Sequence, residues 1–118
     1  MLRQSSAPLD RVFHALADPS RRAIVERLSR GSATVSDLAE PLPMSLPAVL
    51  QHLQVLEESG LVSSEKVGRV RTCNIEVVAL EPVEGWIKGR RAGWERRLDR
   101  LGEHLAQQSA EPTPYGDP

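Results

Sequence analysis

The sequence predicts a mainly α-helical fold with one small β-hairpin, in the order helix, helix, short helix, helix, hairpin, long helix. Three observations carry this expectation. Apolar residues recur at three- and four-residue steps through most of the chain. Ser, Thr and Asp caps, with Pro and Gly breaks, divide that pattern into separate helices. Between Leu61 and Glu76 the helical step gives way to two short β-prone runs around Val67-Gly68-Arg69.

Residues 1–8 read as a flexible arm. The first helix is expected from about Leu9 to Ala17, because Leu9, Val12, Phe13 and Leu16 fall on one face. Asp18-Pro19 then supplies a cap and a first helical residue, so a second helix runs to about Ser29 with Ile24, Val25 and Leu28 turned inward. Gly31 ends it. Thr34-Val35-Ser36-Asp37 has the form of a capping box and opens a short helix to about Glu40. Pro41 and Pro43 enforce a turn. Ser45 caps a fourth helix, which tolerates Pro47 in its first turn and stops before Gly60. The hairpin follows, from 61–67 to 70–76. Glu81-Pro82 opens a long last helix over about 82–107, within a folded domain of 9–108. The polar, Pro-rich segment 109–118 reads as a disordered tail.

A chain of 118 residues supports one domain with one core. The N-terminus has no apolar stretch suited to a signal peptide, and no apolar run reaches the roughly 20 residues of a membrane span. Cys73 is the single cysteine, which excludes an intrachain disulfide framework and an all-cysteine metal site. A cytoplasmic protein without membrane contact is the expectation. The net charge is −1, but its distribution is uneven. Residues 1–30 carry six arginines against Asp10, Asp18 and Glu26, whereas 31–60 contain no Lys or Arg and four acids. Lys66, Arg69 and Arg71 cluster in the hairpin.

A short helix, a tight turn and a capped helix make a helix-turn-helix, and a hairpin directly after it makes a wing. In such a unit the exposed face of the second helix enters the DNA major groove. On the fourth helix, Val49, Leu53 and Leu56 share the core face, with Leu46 and His52 at its edges. Pro47, Gln51, Gln54 and Glu58 lie opposite, flanked by Ala48, Leu50 and Val55. The residues expected to approach the groove are Ser45, Pro47, Ala48, Leu50, Gln51, His52 and Gln54. A glutamine amide matches the adenine edge, Ala48 and Leu50 suit thymine methyls, and Ser45 with the first-turn N–H groups suits a phosphate. Backbone charge must come from elsewhere: Arg21 and Arg22, Arg69 and Arg71 on the wing, and Arg3 on the arm. The same pattern also describes an ordinary amphipathic helix with a polar outer face.

A last helix of about 26 residues is about 39 Å long at 1.5 Å per residue, more than a small core can cover. Val83, Ile87, Trp94, Leu98, Leu101 and Leu105 form its stripe, with Trp86 at the edge. A two-fold homodimer built from the first helix (Leu9, Val12, Phe13, Leu16) and the last (Trp86, Ile87, Trp94, Leu98, Leu101, Leu105) is the economical partner. Gly85, Gly89 and Gly93 recur every four residues beside the stripe. They admit three readings: close helix approach, a bend or a late start near Arg90, and a ligand pocket beside Trp86 and Trp94.

From Leu9 to Gln107 the chain resembles the ArsR/SmtB family of bacterial winged-helix repressors. The resemblance rests on HALADPSRRAIVERLSRG followed by TVSDLAEPLPMSLPAVLQHLQVLEESGLVSSEKVGR. It implies a homodimer that binds an inverted-repeat operator in double-stranded DNA, represses its own promoter and lets go when a small effector binds. His52 matches the family's recognition-helix histidine. Departures narrow the branch. Metal-sensing members carry cysteines on either side of a valine, where this chain has Thr34 and Ser36 around Val35. Other members bind zinc across paired last helices; here Asp99, Glu103 and His104 are present, but position 107 is Gln. Leu50 stands where the family often has serine.

No metal, cofactor or enzymatic activity is expected. His14, His52 and His104 lie on three different helices, and no nucleophile is spaced with a base. Two alternatives stay open: a protein–protein interaction module, favoured by the acidic stretch 31–60, and a thiol-responsive DNA-binding regulator using Cys73.

Overall fold

The computed structural model describes residues 3–109. Its elements are α1 (Arg3–Leu16), α2 (Pro19–Leu28), β1 (Ala33–Thr34), α3 (Val35–Ala39), α4 (Leu46–Glu58), β2 (Val62–Val67), β3 (Val70–Ile75), a 3-10 turn (Val77–Leu80) and α5 (Glu81–Ser109). They form two compact units, one ending at Glu84 and one beginning at Gly85.

In the first unit α2, α3 and α4 begin where the sequence supplies a cap. Asp18, in extended conformation, accepts the Arg21 N–H and starts α2 with Pro19 in its first turn. Thr34 and Asp37 close a reciprocal capping box, each accepting the other's backbone N–H at 3.1 Å. Ser45 Oγ accepts the Ala48 N–H at 3.3 Å and starts α4. Inward faces from every element meet in one core: Val12 and Ala15, Ile24 and Leu28, Ala33, Leu38, then Val49, Leu53 and Leu56, with Leu61, Val62, Cys73 and Val83.

The sheet is three-stranded and antiparallel, in the order β1-β3-β2. β2 and β3 pair from Val62 opposite Ile75 to Val67 opposite Val70, leaving Gly68-Arg69 as a two-residue turn. Gly68 has φ +65°, the backbone that such hairpin turns require and that side chains disfavour. β1 pairs Ala33 with Cys73 and Thr34 with Thr72. The sequence did not disclose this strand, because two residues are too few to display a period.

Three further differences stand out. α1 starts at Arg3, not Leu9, so residues 3–8 of the expected arm are helical. Their apolar pattern is weak, and Pro8 reads as a boundary. Its missing N–H costs only one backbone bond near the helix start. The 3-10 turn before α5 gave no separate signal. α5 is continuous from Glu81 to Ser109, which removes the late start near Arg90. Ser109 therefore ends a helix. The rest of the expected tail, 110–118, and residues 1–2 lie outside the described residues.

The second unit, from Gly85, is the remainder of α5. Trp86, Ile87, Trp94, Leu98, Leu101 and Leu105 are all about half exposed along it. An added Cβ at Gly85, Gly89 or Gly93 would meet nothing within 4 Å. Among the described residues, no packing contact demands these glycines.

Candidate nucleic-acid interface

α4 supplies the candidate surface. Val49, Leu53 and Leu56 have no exposure and fix the rotation of the helix against the core. That rotation places Pro47, Leu50, Gln51 and Gln54 outward, as expected. Leu50 is 38% exposed, an apolar contact between two amides. Ser45 sits exposed at the start of the helix, its hydroxyl engaged with the Ala48 N–H. Ala48 is half-buried. Gln54 donates to a Glu58 carboxylate oxygen at 3.3 Å, one turn later on the same face.

His52 faces elsewhere. It is half-buried against the α1–α2 corner, with Nδ1 3.2 Å from an Arg21 guanidinium nitrogen and 3.9 Å from the Asp18 carboxylate. It joins α4 to that corner. The sequence reading places it among the groove-facing side chains and at the edge of the core face; the structure sets it half-buried at that edge. The reason is helical: 52 lies only one residue from Leu53 and at the margin of the core face.

Arg21 and Arg22 are likewise redirected. Arg21 donates from Nε to the Ala15 carbonyl at 2.8 Å and from Nη2 to the His14 carbonyl at 3.0 Å. Arg22 donates to the Leu16 carbonyl at 2.8 Å. The two guanidinium groups satisfy the last carbonyls of α1, which have no partners within the helix. Asp18 completes the corner. The Arg21 N–H holds its carboxyl below the usual carboxylate value against a smaller desolvation effect, and the nearby His52 adds a still smaller lowering.

The wing divides its cations by role. Arg71 is paired with Glu57 of α4 and donates to Ser64 Oγ at 2.9 Å, while Ser64 donates to the same carboxylate at 2.7 Å. Arg71, expected as a contact to DNA, thus ties the hairpin to α4. Lys66 and Arg69 are exposed and have no ion-pair or hydrogen-bond partner among the described residues. With Thr34, Val35, Ser36, Leu50, Val70 and the Arg71 stem they line a groove of about 330 Å³ between the wing, α3 and α4. Lys66, read in the sequence as part of the basic wing tip, belongs to this surface, and so does Ser36, to which the sequence reading gave no site. The signal for Lys66 was its place in the basic cluster. For Ser36 there was none beyond its position at the start of α3.

Of the four dimer candidates on α1, Val12 is 1% exposed and belongs to its own chain's core. Leu9 and Leu16 pack against that core, and Phe13 is 41% exposed. Alternation on α1 cannot by itself tell an inner face from an outer one.

Cys73 has no exposure, and burial pushes its thiol above the ordinary value despite a smaller opposing effect of Arg71. A buried thiol held protonated is a poor redox sensor. The acids of 31–60 are mostly engaged inside the chain. Asp37 caps α3, Glu57 holds Arg71, and Glu58 accepts from Gln54. The acidic stretch therefore presents less free charge to a protein partner than its composition suggests. Among the described residues, no three His, Cys, Asp or Glu side chains are grouped to hold a metal ion. No described helix is long and apolar enough to cross a membrane.

Residues 16–65 match the helix-turn-helix domain model. The chain is 48% identical over 71 residues to the HTH-type transcriptional regulator Rv2034 of Mycobacterium tuberculosis, covering 60% of this chain and 66% of that protein. Among solved structures, an ArsR family transcriptional regulator superposes with a TM-score of 0.72 at 50% identity, covering 75% of this chain and 91% of that one. An ArsR-like transcriptional regulator from Rhodococcus sp. RHA1 superposes with a TM-score of 0.75 at 34% identity, covering 94% and 100%.

Proposed function

The chain belongs to the ArsR family of winged helix-turn-helix transcriptional regulators, and on that premise we propose that it is a homodimeric, cytoplasmic repressor of its own promoter. Each protomer inserts α4 into the major groove of one half of an inverted-repeat operator. Pro47, Leu50, Gln51 and Gln54 face the base edges. Gln51 and Gln54 read adenine, and Leu50 contacts a thymine methyl. Lys66 and Arg69 hold the flanking backbone from the wing. The homodimer forms through the stripe of α5 together with Phe13 of α1. An effector shifts the population away from the DNA-competent dimer.

One observation supports this reading above the others. α4 is rotationally locked by three fully buried residues, and its outward amides adjoin a groove edged by two cations with no partners among the described residues. A merely structural amphipathic helix gives no reason for those cations to stay unpaired beside its polar face.

The test is a footprint of the full chain on its own promoter over a range of salt concentrations. A protected two-fold symmetric site that weakens as salt rises is expected. A folded dimer that protects no site at low salt would set operator binding aside in favour of a protein-interaction module.

A further inference from the structure

Arg11 and His14 of α1 and Val55, Glu58 and Ser59 of α4 line a cavity of about 460 Å³. That volume falls within the range of small-molecule sites. Its walls carry opposite charges that do not close on each other. Arg11 and Glu58 form no ion pair, whereas Arg91 and Glu95 pair at 3.6 Å on an exposed face of α5. Among the described residues, neither the Arg11 guanidinium nor the His14 imidazole has a hydrogen-bond partner; the His14 carbonyl accepts from Arg21 and from the Ala17 N–H. The Ser59 hydroxyl is engaged, donating to the Leu56 carbonyl at 2.7 Å and accepting the Leu61 N–H at 3.2 Å. Val55 is half-buried against the core and gives the cavity an apolar wall.

A guanidinium and a carboxylate held apart across an open cavity match a ligand with both charges on a short frame. We propose that this cavity binds a zwitterion of the α-amino-acid class. The ligand carboxylate rests on Arg11, with His14 beside it, its ammonium rests on Glu58, and its side chain lies over Val55. Glu58 is also the acceptor for Gln54. A ligand ammonium makes a charge-assisted bond to that carboxylate and displaces the neutral amide donor. Ligand binding therefore releases Gln54, a residue that the proposed function places at the base edges. This coupling rests on that reading; the binding itself does not.

Saturation-transfer NMR on the full chain tests the site without DNA, using the standard α-amino acids one at a time at millimolar concentration. At least one gives a saturable signal, and its N-acetylated and amidated forms give none. Arg11→Gln and Glu58→Gln, each shown folded by circular dichroism, weaken binding by about tenfold or more. No binding by any amino acid, or binding that survives both substitutions, overturns the site. A third result also overturns it: no amino-acid binding, but an Arg11→Gln variant with weaker affinity for every DNA sequence, which makes Arg11 a phosphate contact. The coupling is read separately, on the footprinted operator. The bound amino acid changes operator affinity in the parent chain and not in Glu58→Gln. Amino-acid binding with unchanged operator affinity overturns the coupling, and amino-acid binding with no operator at all points to failure of the DNA-binding reading instead.

Discussion

Arg21 illustrates how one side chain can be legible in charge and illegible in role. Its guanidinium holds the His14 and Ala15 carbonyls and meets His52. Arg21→Ala removes the guanidinium donor from the Ala15 carbonyl, leaves the His14 carbonyl with only the Ala17 N–H, and loosens the link to α4. Chemical denaturation is expected to show a loss of about 1–3 kcal/mol, while the salt slope of DNA binding stays unchanged; a flattened slope would return Arg21 to the phosphate contacts. Asp18 adds a pH dependence. Its native pKa lies below the ordinary 3.8, so its contribution is fully present above that value. It is lost as the pH falls through the lower native value. The thermal midpoint should decline on that acid limb, and Asp18→Asn should flatten the decline. An acid limb unaltered in Asp18→Asn counts against the assignment. Caps such as Asp18, Thr34 and Ser45 were readable in the sequence because their partners lie three residues away. The intrachain partners of the arginines were not readable, because a guanidinium shows its charge in the sequence but not its acceptor. Glu57 lies 14 residues from Arg71.

At the scale of elements, helices were legible wherever a cap and a stop bounded an apolar period, and β1 was not, because β3 alone defines it. The contact of α4 with the wing was also hidden in the sequence. Glu57, Ser64 and Arg71 set the position of the hairpin beside the reading helix. Glu57→Gln separates two effects by sign. Removing a negative charge near DNA raises affinity if charge alone matters, and freeing the wing lowers it. A several-fold fall in operator affinity is expected, of the order that losing about 1 kcal/mol brings; a rise would show that the clamp does not position the wing. Arg69→Ala should weaken all DNA sequences alike and reduce the salt slope by about 1, measured by fluorescence anisotropy on operator and random duplexes. An unchanged slope removes Arg69 from the backbone contacts.

For the whole molecule, the question is what covers α5. Leu98 is 58% exposed and lies midway along the stripe beyond Gly85. Leu98→Glu places a charge in the proposed dimer contact. Sedimentation should then report a monomer, with the first unit still folded and operator affinity lost through the missing second half-site. A dimer that persists would move the interface elsewhere. The 29-residue α5 has a further consequence. Its glycines at 85, 89, 93 and 102 touch nothing that would repay their helical cost of about 1 kcal/mol each, and a helix of such composition draws its stability from what it packs on. Assembly and the ordering of α5 are then one equilibrium, and mass action governs both. Copy number becomes part of the fold. On the proposed dimer contact, dilution is expected to melt the last helix before the first unit, and circular dichroism over a dilution series checks this. Chains that have not met a partner are the ones most open to proteolysis.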